Sequence, residues 1–105
     1  MKLTFPRAAI SNVVNVLRRA GYSPFVDPKS HESSYVLRLT KGFYPRFHLY
    51  ATDRGENITF DVHLDQKQPS YGEGHMHAGE YDGPTIEKEC ARIERAVSTV
   101  LFEEM

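Results

Sequence analysis

The sequence predicts an α+β fold in the order αβββα: a three-stranded antiparallel sheet with two helices packed on one face. Three observations predict it. Apolar residues recur at helical spacing near both ends of the chain. Between them lie three segments in which apolar and polar residues alternate, the pattern of strands with one buried and one polar face. The chain has 105 residues, 40% of them hydrophobic, which suits one core rather than two, so residues 1–105 are expected to form a single domain.

The first helix is expected from Pro6 to Ala20. Proline suits a first helical turn, where its missing N–H costs nothing. Ile10, Val13, Val14 and Leu17 make one apolar stripe, Arg18 and Arg19 favour the C-terminal end of the dipole, and Gly21 is a natural stop. Residues 22–33, with Pro24, Pro28 and the polar run DPKSHESS, read as a loop. Strands are expected at Ser34–Thr40, Arg46–Ala51 and Asn57–Asp65. Residues 66–83, rich in Gly, Pro, Ser and His, read as a long loop of the kind that often carries function. The second helix is expected from Pro84 to about Phe102, with Ile86, Cys90, Ile93, Val97, Val100 and Leu101 as its stripe. Glu103 and Glu104 oppose the dipole and are expected to fray its last turn.

A tight hairpin around Arg54-Gly55 would place Ala51 opposite Ile58, Leu49 opposite Phe60 and Phe47 opposite Val62. On the polar face the same register sets Tyr50 against Thr59, His48 against Asp61 and Arg46 against His63. The KGFY turn would bring Arg38 beside His48. Phe47, Leu49, Phe60 and Val62 are expected in the core with Val13, Leu17, Ile93 and Val97.

Composition narrows the function classes. No apolar run approaches membrane-spanning length, and Arg7, Ser11, Asn12 and Asn15 interrupt any signal-peptide core. The lone Cys90 cannot form an internal disulfide, so a cytoplasmic location is the expectation. Net charge is −1, yet residues 1–54 carry nine Lys/Arg against three Asp/Glu, a balance of +6, and residues 55–105 carry four against eleven, a balance of −7. Either the halves neutralise each other on folding, or a basic face attracts anions or nucleic acid.

Chemistry concentrates in the histidines. Four of the five, His48, His63, His75 and His77, lie within thirty residues, interleaved with Asp61, Asp65, Glu80 and Asp82. His63 and Asp65 are two apart on a strand and point to one side. His75-Met76-His77 offers a second such pair, with Glu80 close behind. Two or three imidazoles with a carboxylate suit a divalent metal, zinc foremost, and an unfilled coordination position makes such a site hydrolytic. Gly72, Gly74 and Gly79 would let the loop turn back, so His63, Asp65, His75, His77 and Glu80 are expected to converge. Arg46 beside His63 opposes this unless Asp61 and Asp65 offset its charge.

A second reading uses the same sheet face for phosphate or nucleic acid. Arg38, Arg46 and His48 would bind the anion, Asp61 would orient His48, and Tyr50 and Tyr71 would stack bases. A third is a plain polar face whose cross-strand ion pairs each contribute up to ~1 kcal/mol. Homo-oligomerisation stays open.

The segments GFYPRFHLY (42–50), HLDQKQPSY (63–71) and HAGEYDG (77–83) resemble those of a family of small prokaryotic proteins of unknown function. That resemblance implies no activity, cofactor or residue role. The αβββα order also resembles double-stranded-RNA-binding domains, whose second helix opens on a lysine-rich segment. Here that helix opens on the acidic PTIEKEC, which argues against the function.

Overall fold

The computed structural model describes residues 1–66, 79–80 and 83–105. The α+β class and the antiparallel sheet are as the alternation predicts, but the sheet is wider than three strands. Its order is β1(Lys2–Pro6), β5(Asn57–Asp65), β4(Arg46–Asp53), β3(Ser33–Arg38), β2(Ser23–Val26), every pair antiparallel. A two-residue β6(Gly79–Glu80) pairs with β5 at Leu64 and Asp65, beyond the stretch that β1 covers.

The two added edge strands were hidden by prolines. In KLTFP, Leu3 and Phe5 alternate with Lys2 and Thr4, and Phe5 packs its ring 5.5 Å from that of Phe60. Pro6 ends this strand instead of starting a helix, with extended angles of φ −63° and ψ 144°. Pro24 lies within β2, an edge strand, where a missing backbone donor is tolerated. The polar run after it is a compact turn. Asp27 Oδ1 accepts from the N–H groups of Lys29 (2.7 Å) and Ser30 (3.1 Å), and the Asp27 N–H donates to Glu32 O across its base.

The first helix is correspondingly shorter. A short 3-10 turn at Arg7–Ala9 precedes α1(Val13–Arg19), and Asn12 caps α1 by accepting from the Asn15 N–H at 3.0 Å. Starting there turns Val16, Leu17 and Ala20 inward and leaves Val14 40% exposed, against the expected stripe. Val13 is half-buried against the core. The helix stops as its sequence suggests: Gly21 takes φ +98°, Tyr22 N–H donates to Leu17 O and Gly21 N–H to Arg18 O.

The second helix, α2(Pro84–Glu104), runs through its acidic end. Arg19 grips Glu103 with two bonds of 2.6 and 3.0 Å, and Ser11 Oγ donates to Glu104, so neighbouring groups offset the unfavourable dipole. Ile86, Cys90, Ile93, Val97 and Val100 pack with Val16 and Leu17 of α1 against Phe47, Leu49, Ile58, Phe60, Val62 and Leu64 in one cluster. Both helices therefore cover the same sheet face, as expected. One polar group is built into this layer. Buried Glu89 accepts from the Tyr22 hydroxyl at 2.6 Å and from Arg92 at 2.7 and 2.8 Å.

Register is the main correction. Leu49 stands opposite Val62, Phe47 opposite Leu64 and Ala51 opposite Phe60, two residues from the expected pairs. The turn centres on Gly55-Glu56, with the Arg54 N–H donating to Asn57 O at 2.8 Å and Gly55 at φ +87° in the first central position. A two-residue slip leaves each side chain on its own face. The faces are as read from the sequence, while every cross-strand pair changes. The β3–β4 pairing slips likewise, setting Arg38 opposite Arg46 and Val36 opposite His48. No helix among the described residues is long and apolar enough to cross a membrane.

Candidate functional site

Two adjacent rows on the helix-free face of the sheet make the site. One row is Arg38, Arg46 and Asp65 across β3, β4 and β5; the next is Val36, His48 and His63. The slipped register creates these rows. It replaces the expected pairs His48–Asp61 and Arg46–His63 with His48–His63 and Arg46–Asp65.

Asp65 is the hub. Its Oδ2 accepts from Arg46 Nε at 3.2 Å and from His48 Nδ1 at 3.0 Å, and its Oδ1 lies 3.2 Å from His63 Nε2. Arg46 and His48 are each 7% exposed, an unusual burial for polar residues on a helix-free sheet face. Part of the cover is aromatic. The His48 ring stacks on Tyr50 at 4.7 Å, Tyr50 and His63 stack at 5.8 Å, and Phe25 from β2 meets His48 edge-on at 6.1 Å. Burial alone would push the Asp65 carboxyl up. Hydrogen bonds from His48 and His63, together with their charge, outweigh it and hold the group well below the usual carboxylate range. Burial pushes the Tyr50 hydroxyl up.

His48 is fixed from its other side as well. Its Nε2 is 2.7 Å from Ser34 Oγ, and the Ser34 hydroxyl donates to the Phe25 carbonyl at 3.3 Å. With Nε2 protonated, a continuous chain runs from imidazole N–H to serine to backbone carbonyl. In that tautomer Nδ1 no longer donates to Asp65, and its lone pair would face Asp65 and His63, where a metal could take it. A hydrogen bond on the nitrogen away from the metal fixes the ring and tautomer of a metal-binding histidine in this way.

No protein-family model, curated protein or solved structure matches the chain.

His48, His63 and Asp65 could hold a metal, each offering one ligand atom, with all three atoms within 4.8 Å of one another. Tetrahedral ligands about 2.0–2.1 Å from zinc stand roughly 3.4 Å apart. The contacts of 3.0 and 3.2 Å from Asp65 to the two imidazoles are already close to that spacing. Among the described residues Arg46 pairs with Oδ2 and no other carboxylate oxygen, which leaves Oδ1 to the His63 side.

Of the expected ligands, His63 and Asp65 are thus together, and His48, expected on the anion-binding side, joins them. Gly79, not Glu80, stands opposite Asp65; the Cα partner of Glu80 is Leu64. Tyr71, His75 and His77 lie outside the described residues. Asp61 faces Tyr50 and Lys2 and lies 3.8 Å from the Met1 amine, so it does not orient His48. Tyr50 lines the site by stacking. The sequence reading missed Ser34 and Phe25. Ser34 already begins the expected strand Ser34–Thr40, in phase with Arg38 on its polar face, but Phe25 required recognising β2 despite Pro24.

Proposed function

We propose that the chain is a divalent-metal protein whose centre is His48, His63 and Asp65, with zinc the best-suited ion and hydrolysis the chemistry it supports. The observation that carries this reading is the convergence of three ligand atoms within 4.8 Å, one of them on an imidazole backed by Ser34. Two imidazoles and one carboxylate are a common catalytic donor set, and three protein ligands leave a coordination position for water. His48, His63 and Asp65 would hold the ion, which when bound would supply a water activated near neutral pH.

The bonds Ser34–His48–Asp65 also follow the order nucleophile, base, orienting acid. Two observations weigh against a serine nucleophile. Ser34 is 4% exposed, and its hydroxyl donates to the Phe25 carbonyl. Its place in the metal reading is to fix the His48 ring.

Titration of the metal-free protein with Zn²⁺ or Co²⁺ tests the proposal. One ion per chain is expected, with a tetrahedral or five-coordinate Co²⁺ spectrum. His48→Ala and His63→Ala should each weaken binding by at least about tenfold while the chain stays folded by circular dichroism. Unchanged affinity in both variants would overturn the assignment.

A further inference from the structure

A pair of cations adjoins the proposed metal ligands. Arg38 and Arg46 are direct cross-strand partners, so their side chains leave the same face of the sheet. Like charges placed this way repel. Arg46 is buried, and among the described residues the only hydrogen bond of its side chain runs from Nε to Asp65. Its guanidinium carbon lies 4.9 Å from the ring centre of Phe25 and 4.7 Å from that of Tyr44. Arg38 rests over the Phe43 ring at 4.3 Å, and among the described residues its side chain has no ion pair or hydrogen bond. A ring takes up the face of a guanidinium and leaves the in-plane N–H groups for an anion.

We propose that Arg38 and Arg46 form the oxyanion subsite of this centre and that its substrate class is a phosphate ester; the substrate role rests on the metal reading above. Three considerations select phosphate. Asp65 is the only carboxylate paired with either arginine among the described residues, so the two guanidiniums together keep an excess of positive charge. A divalent metal on Asp65 would increase that excess, which matches a dianion better than a carboxylate. A phosphoryl group also offers three oxygens, enough for two guanidiniums and a metal, where a carboxylate offers two.

Inorganic phosphate is the probe, titrated calorimetrically into the metal-free protein at fixed ionic strength. Arg38→Ala is the informative variant, because Arg38 is exposed and its loss leaves Asp65 and both histidines in place. It should weaken phosphate binding by about tenfold or more, the loss of charge-assisted hydrogen bonds. Lys41→Ala, which removes one exposed charge from the neighbouring turn, should change it by less than about twofold. Equal effects of the two variants, or no measurable binding by the parent protein, would overturn the oxyanion subsite. The two proposals fail separately. Metal bound with Arg38-independent phosphate binding refutes the subsite alone. Phosphate bound through Arg38 with no metal refutes the centre and, with it, the substrate role.

Discussion

Asp65→Asn tests the hub of the polar face without changing its shape. The carboxylate accepts from one guanidinium and meets two imidazoles at 3.0–3.2 Å. An amide in its place can still offer one carbonyl oxygen to Arg46 and His48, and His63 can change tautomer to accept from the new NH2. The principal loss is therefore the countercharge to a buried Arg46. Removing one partner of a fully buried ion pair costs about 3–5 kcal/mol. Asp65 retains 20% side-chain exposure, and the amide keeps its hydrogen bonds, so we expect about 2–3 kcal/mol. For a domain of this size that is a fall in midpoint of roughly 10–20 °C. The cost should depend on pH. A carboxyl held below its ordinary value contributes stability above its unfolded pKa of about 4 and loses it as pH falls toward the folded value. The gap between parent and variant should therefore narrow as pH falls from about 5 to 3. Urea unfolding of the metal-free proteins across that range measures both quantities. A variant within about 0.5 kcal/mol of the parent at pH 7, or a gap that widens as pH falls from about 5 to 3, would refute the account of Asp65 as a buried, charge-paired hub.

Phe60 is fully buried at the centre of the sheet's apolar face. Phe60→Ala should cost ~3–5 kcal/mol in chemical denaturation; a loss below about 1 kcal/mol would place this residue outside the core. Glu89→Ala should cost about 2–4 kcal/mol, because it strands the buried Tyr22 hydroxyl and removes the acceptor of Arg92. Adding Tyr22→Phe should then cost less than it does in the parent, and a double-mutant cycle with no coupling would contradict the pairing.

Much of the fold was legible from local pattern alone. The alternation in residues 34–38, 46–51 and 57–65 marks which side chains are apolar and which polar, and those faces are as predicted; the strand expected to run to Thr40 ends at Arg38, which leaves Leu39 47% exposed. The α2 stripe at Ile86, Cys90, Ile93, Val97 and Val100 is equally local. β1 and β2 were less legible because Pro6 and Pro24 carry a breaker signal. Whether a proline breaks a strand depends on whether its missing N–H falls at a sheet edge, and edge position is a property of the assembled sheet.

The site divides in the same way. The sequence by itself determined that His48, His63, Asp65, Arg38 and Arg46 share one face, because side-chain direction repeats every two residues whatever the register. Which of them meet was decided only by the tertiary structure. Centring the turn on Gly55-Glu56 moved each β4–β5 pair by two residues, which set His48 against His63 and gave Asp65 to Arg46. Long-range contacts then completed the arrangement. β2 brought Phe25 over His48, and pairing of β3 with β4 placed Ser34 behind its ring. A period of two is written into each strand, but the offset between strands comes from the turn and the packed core. Chemistry that needs two strands at once is therefore settled only when the sheet forms.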